Sequence, residues 1–121
     1  MSLFSQFCDN PDPLVRLAAA AALDADKQSA CENVFRDSLH DPDYGVRSAT
    51  ARILGKTNLT NRGRLLAQAI KDSNSRVRTS AVRSAGMMGG VEAWPLLLNS
   101  IYDSLPVVRA YAAGNLIKLM K

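Results

Sequence analysis

Apolar and polar positions along this chain recur in a fixed frame. The dipeptides Val15-Arg16, Val46-Arg47, Val77-Arg78 and Val108-Arg109 follow one another at intervals of 31 residues without an insertion. Their neighbours keep their chemistry too. Twelve residues before each arginine stand Phe4, Phe35, Leu66 and Leu97, and eight before stand Cys8, Leu39, Ile70 and Ile101. Three after come Ala19, Thr50, Ala81 and Ala112, and seven after come Leu23, Leu54, Ala85 and Leu116. Six before stand Asn10, Asp41, Asp72 and Asp103, a column of acids or their amide.

Self-similarity at a period of this size marks a repeat architecture. Each unit carries two helical patterns. The second is the clearer: Asp41-Pro42-Asp43 is a start signal, Val46, Ala49, Ala51, Ile53 and Leu54 follow, and Gly55 offers a stop. The first helices are predicted over residues 2–8, 29–39, 60–71 and 92–102. Their two apolar columns lie four residues apart, which places both on one helical face. Gly86-Met87-Met88-Gly89-Gly90 reads as an inter-repeat turn.

Two helices with one apolar stripe each cannot bury both stripes alone, so neighbouring units must stack. The predicted fold is all-α, an α–α superhelix of four two-helix repeats over 1–27, 28–58, 59–89 and 90–121, forming a single domain over residues 1–121. Small residues at Ala18 to Ala22, Ala49, Ala51, Ala81, Ala112 and Ala113 would let successive second helices approach closely.

Composition narrows the class. With 47% hydrophobic and 21% charged residues the chain should fold, and no apolar run approaches the length that spans a bilayer. There is no secretory signal pattern. Only two cysteines occur: Cys8 stands in an apolar column and reads as a buried core residue, and Cys31 falls near a helix start, where a thiolate would be favoured. Together these features predict a cytoplasmic protein.

The stretch Asp41-Pro42-Asp43-Tyr44-Gly45-Val46-Arg47-Ser48-Ala49 resembles the HEAT-repeat family in its short bacterial and archaeal form, and Gly90-Val91-Glu92-Ala93-Trp94-Pro95-Leu96-Leu97 is similar to that family's inter-repeat turn and first-helix start. The resemblance implies that an Asp and an Arg six residues apart form hydrogen-bonded ladders between repeats. The matching pairs are Asp41/Arg47, Asp72/Arg78 and Asp103/Arg109, while Asn10/Arg16 departs from the pattern, with Asp9 a candidate substitute. A guanidinium at one fixed site in every repeat is what such a ladder requires, so the arginine column reads as structural rather than as phosphate recognition.

Charge is unevenly shared. Residues 1–43 hold eight acids and three bases, a net −5, whereas residues 44–121 hold twelve bases and three acids, a net +9. Five residues beyond the ladder arginines stand Ala21, Arg52, Arg83 and Gly114, and nine beyond stand Ala25, Lys56, Met87 and Lys118. Arg52, Lys56, Arg83 and Lys118 therefore share one face of the second helices. Ser48, Thr79, Ser80 and Tyr111 lie one and two positions past the ladder arginines. The resemblance implies that second helices line the concave surface. The expected function is thus a non-catalytic scaffold that binds an acidic protein partner there.

The same basic face suits nucleic acid as an alternative partner, although seven aromatics, two of them in core columns, offer no stacking platform. A further alternative, by family analogy alone, is a phycobilin-lyase-like chromophore-handling subunit. No cofactor, metal or catalytic residue is expected. The sole histidine, His40, suits a helix C-terminus, the repeated His-Glu pairs of iron-binding HEAT enzymes are missing, and no phosphate-binding loop or nucleophile elbow occurs. Both ends look uncapped: Leu3, Phe4 and Phe7 open the chain and Leu116, Ile117, Leu119 and Met120 close it, which favours self-association or docking onto a larger assembly.

Overall fold

The computed structural model describes residues 6–23 and 31–121. Among these residues there are seven helices and no strand: α1 (Pro13–Ala22), α2 (Glu32–Ser38), α3 (Tyr44–Leu54), α4 (Arg62–Ile70), α5 (Ser75–Met88), α6 (Gly90–Ser100) and α7 (Pro106–Leu119). Of the first helix expected over residues 2–8, Gln6 and Phe7 are helical, and Leu3 and Phe4 lie outside the described residues. The pairs α2/α3, α4/α5 and α6/α7 repeat in the predicted frame and stack into an all-helical α–α solenoid.

Three of the four second helices, α1, α3 and α5, begin where a short polar side chain caps the first turn. Asp12 accepts from the Leu14 N–H at 2.9 Å, Asp43 from Gly45 at 2.8 Å and Asn74 from Arg76 at 2.8 Å. Each bond satisfies one of the orphan amides of a helix start. In α1 and α7 a proline, Pro13 or Pro106, adds the fixed φ suited to that position.

One of the sequence expectations about helix ends needs correction, and one holds for a different reason. Gly86 to Met88 continue α5 instead of forming a turn, and the reversal into α6 is compressed into Gly89 and Gly90, with φ of 64° and 72°. Only glycine adopts that conformation freely, so two residues suffice where five were expected. Gly55 does follow α3, but at φ −64° it uses none of its conformational freedom. Its value is the missing side chain: a Cβ there would lie 2.9 Å from the Cα of Ser84. The Ser84 hydroxyl fills the space and donates to the Ala51 carbonyl at 2.5 Å. Gly86 repeats the device one unit later, where a Cβ would collide with the side-chain amide of Asn115.

The core runs along the stack through the predicted columns. Phe35, Leu66 and Leu97 are fully buried, as are Ala81 and Ala112 and, from the Val-Arg dipeptides, Val77 and Val108. Thr50 keeps its place in the small-residue column because its hydroxyl donates back to the Val46 carbonyl at 2.7 Å. Of the alanines expected at helix contacts, Ala19, Ala20, Ala49, Ala51, Ala81 and Ala112 are buried, whereas Ala18, Ala21, Ala22 and Ala113 are exposed. α1 and α7 each have a neighbouring second helix on one side only, among the described residues. The most extensive contacts between repeats are those of α3 with α5 and α5 with α7.

Candidate binding face and the joints that position it

The face is held in register by the loop between the two helices of each repeat. There the acidic column shows what it has in common with its amide exception. Asn10, Asp41, Asp72 and Asp103 each accept, through Oδ1, the backbone N–H two residues on, at 2.8 to 2.9 Å. This closes an Asx turn, for which an amide oxygen serves as well as a carboxylate. Asn10 therefore performs the local task without Asp9.

The ladder arginine then reads this turn. Arg16, Arg47, Arg78 and Arg109 donate through Nη1 to the carbonyl of the residue six before, at 2.6, 2.7, 3.0 and 2.8 Å. The carboxylate partner, however, is not the aspartate of the same repeat. Arg47 Nε donates to Asp72 Oδ2 at 2.9 Å and Nη2 to Oδ1 at 3.3 Å; Arg78 makes the same fork with Asp103 at 2.8 and 3.4 Å. The ladder between repeats is thus present, but the Asp and Arg six residues apart meet through the aspartate's carbonyl, and the carboxylate pairs are 25 residues apart. The aspartate gives its carbonyl to its own arginine and its carboxylate to the arginine before it, and this makes the ladder span repeats. Planar fork geometry favours arginine over lysine here.

These are the ion pairs among the described residues, with side-chain exposures of 17% and 12% for Arg47 and Asp72 and 15% and 9% for Arg78 and Asp103. Asp72→Asn keeps the acceptor for the Asn74 amide and removes only the charge pairing. The expected loss is about 1–2 kcal/mol, since a charge-assisted bond in a largely but not fully buried site contributes on that scale. Urea unfolding with an unchanged slope would register it, and an unshifted midpoint would show that the fork contributes nothing.

The first junction is joined differently. A disulfide links Cys8 to Cys31 across 23 residues, with their Cα atoms 6.0 Å apart, and no Arg16–Asp41 ion pair forms. This replaces the reading of Cys31 as a place where a thiolate would be favoured, while Cys8 is buried as expected. It also removes the cysteine part of the case for a reducing compartment, since disulfides persist mainly where the surroundings are oxidising. Sequence reasoning missed the bridge because the two cysteines sit in different columns of the repeat, eight and sixteen residues before their ladder arginines. Nothing in the period brings those columns together.

On this frame the candidate partner-binding residues divide into two groups. Arg52 near the end of α3, Lys56 just beyond it, Arg83 in α5 and Lys118 in α7 are all exposed, and none forms an ion pair with a described carboxylate. Tyr111 is exposed beneath Arg83, whose guanidinium carbon lies 5.2 Å from the ring centroid. That contact orients the arginine while leaving it charged. Ser48 and Ser80 instead bond to each other at 2.8 Å, joining α3 to α5, and Thr79 donates back to the Ser75 carbonyl at 2.8 Å. These three hydroxyls serve the scaffold's own joints.

A second stacked pair escaped the sequence reading: Arg76 lies over the Tyr44 ring at 5.7 Å, again across the junction of α3 and α5. His40 is exposed just past the end of α2. Among the described residues no group of three or more His, Cys, Asp or Glu could hold a metal ion, and no helix is long and apolar enough to cross a membrane.

Paired helices in a constant frame, stacked through a shared core and tied by forked Arg–Asp bridges, define a helical-repeat solenoid. The sequence model for HEAT repeats matches residues 1–65, and the chain belongs to that family. The same 31-residue frame carries the two later Val-Arg dipeptides beyond the matched segment. No curated protein matches the chain.

Proposed function

We propose that residues 1–121 act as one four-repeat, non-catalytic scaffold that binds an acidic protein surface along its second helices. The observation that carries this reading is the row Arg52, Lys56, Arg83 and Lys118, exposed on three successive second helices and paired with no described carboxylate. A solvated face that served only solubility would need no such alignment, nor an arginine stacked over Tyr111. The closer packing of α3, α5 and α7 on one another than of the first helices supports a stack that curves toward this layer. Extended concave surfaces are the usual binding surfaces of solenoids.

The test uses a fluorescent polyglutamate peptide and an oligonucleotide of equal charge, both titrated by anisotropy across salt. The peptide is expected to bind the native chain, and R52E/R83E is expected to weaken it roughly tenfold or more with an unchanged circular-dichroism melt. Equal peptide binding by the variant removes the proposed face. Preferential capture of the oligonucleotide, with a steep negative salt slope, would assign the face to nucleic acid instead.

A further inference from the structure

The outward side of the first helices changes character along the stack. α6 buries Ala93, Leu97 and Ser100 in the core. On its opposite side stand Val91, Pro95, Leu98 and, in the turn that follows the helix, Tyr102, all of them exposed. Val91 and Tyr102 keep 85% and 84% of their surface open. At the same frame positions the repeat of α4 carries Thr60, Arg64, Ala67 and Lys71, and that of α2 carries Asn33, Arg36 and His40. These residues are exposed too, apart from half-buried Ala67, although each of their repeats is followed by another. The stripe on α6 therefore lies on a side that the stacking of one repeat on the next leaves open. Apolar side chains grouped on such a face mark an interaction surface.

Spacing defines what fits the stripe. Steps of four, three and four residues separate its positions. At ~100° per residue they fall within an arc of ~60°, narrower than the ~100° face of a helix that lies on an extended apolar surface. An arc of that width is a seam for one other helix.

Charge narrows the occupant further. Arg64 and Lys71 share the columns of Pro95 and Tyr102 one repeat earlier, so they flank the seam at about one helix spacing, ~8–10 Å. Both are exposed, and neither pairs with a described carboxylate. Acids beside the apolar seam of a partner helix would meet them, as flanking charges select the partner in a coiled coil. A second copy suits the face poorly, because the only acid in α6 is Glu92. About three turns of helix also bury far less than the ~800 Å² per partner of a stable dimer.

We propose that this outer seam docks a single amphipathic helix of another protein, one whose apolar stripe is flanked by Asp and Glu. Leu98 and Tyr102 anchor its apolar residues, and Arg64 and Lys71 hold its acids. The contact is small, so the expected affinity is modest, ~1–100 µM. The seam is separate from the row Arg52, Lys56, Arg83 and Lys118 and does not depend on what that row binds.

The test titrates the whole chain with a fluorescent, hydrocarbon-stapled helical peptide that has leucine at the seam positions and glutamate beside them. A peptide with the leucines scrambled off the seam should bind roughly tenfold more weakly or worse. L98S/Y102S should lose the seam peptide by a similar factor while its melt and its polyglutamate binding stay unchanged. Leu98→Gln provides a second variant should that one melt early. R64Q/K71Q should weaken the seam peptide but not a version with glutamine in place of glutamate. Equal binding of the scrambled peptide, or undiminished binding by L98S/Y102S, overturns the proposal. A native chain that ignores the peptide but uses Leu98 and Tyr102 to bind phosphatidylserine vesicles, or to dimerise in sedimentation equilibrium, also overturns it and assigns the seam to a membrane or to a second copy.

Discussion

Phe35→Ala is expected to destabilise the protein by about 3–5 kcal/mol, the range for deleting a buried phenylalanine ring and leaving its cavity. The ring is fully buried in α2, in the column that continues as Leu66 and Leu97. A domain of this size has only about 5–15 kcal/mol to lose. In a solenoid each repeat is supported mainly by its neighbours, so a hole in the second repeat weakens the docking of α1 on one side and of α4 on the other. Urea unfolding should show a lower midpoint, and thermal melts a fall of several degrees for each kcal/mol. Val91→Ala, at a position 85% exposed, should stay within about 0.5 kcal/mol. Equal shifts for the two variants would mean that the column at Phe35 is not the axis of the core.

Much of the fold was legible because the repeat frame exposes columns, and columns that must be buried in every unit keep their chemistry. Phe35, Leu66 and Leu97 were recognisable in this way, and so was the start of α3 from Asp43. Features that alternate between neighbours were harder to see. The Gly55/Ser84 and Gly86/Asn115 joints place different columns of adjacent repeats in contact, so each residue looks unremarkable in its own alignment. The ladder shows the same difficulty. An Asp six residues before an Arg suggests a pair within the repeat, yet the Asx turn holds that carboxylate toward the preceding unit, where Arg47 finds Asp72.

The candidate face was legible for its cations and misleading for its hydroxyls. Long charged side chains at aligned surface positions remain exposed, as Arg52, Arg83 and Lys118 do. A serine beside a helix contact has a choice that its sequence does not reveal. Ser48 and Ser80 lie close enough across the α3–α5 junction to bond each other, and a hydroxyl donor with a nearby acceptor gains more from that bond than from remaining available to a partner.

Reduction of the Cys8–Cys31 bridge is expected to lower stability by about 3 kcal/mol, the chain-entropy value for a closed loop of this length. The loop spans 23 residues and encloses the whole of α1, so cutting the bridge frees the first repeat from the start of α2. The later junctions keep their Arg47–Asp72 and Arg78–Asp103 forks, whereas the first has no such fork among the described residues. The loss should therefore be local. Hydrogen exchange should quicken in α1 under reductant while α5 and α7 remain protected. C8A/C31A should melt with the reduced native chain and ignore reductant altogether, which separates the loss of the bridge from any other effect of the reagent. An intact mass lighter by two hydrogens before reduction establishes that the bridge is present in the sample being melted. If such a sample melts identically with and without reductant, the bridge closes a loop that the packing of α1 on α2 and α3 already holds shut, with Leu17, Ala19, Ala20 and Leu23 in the core.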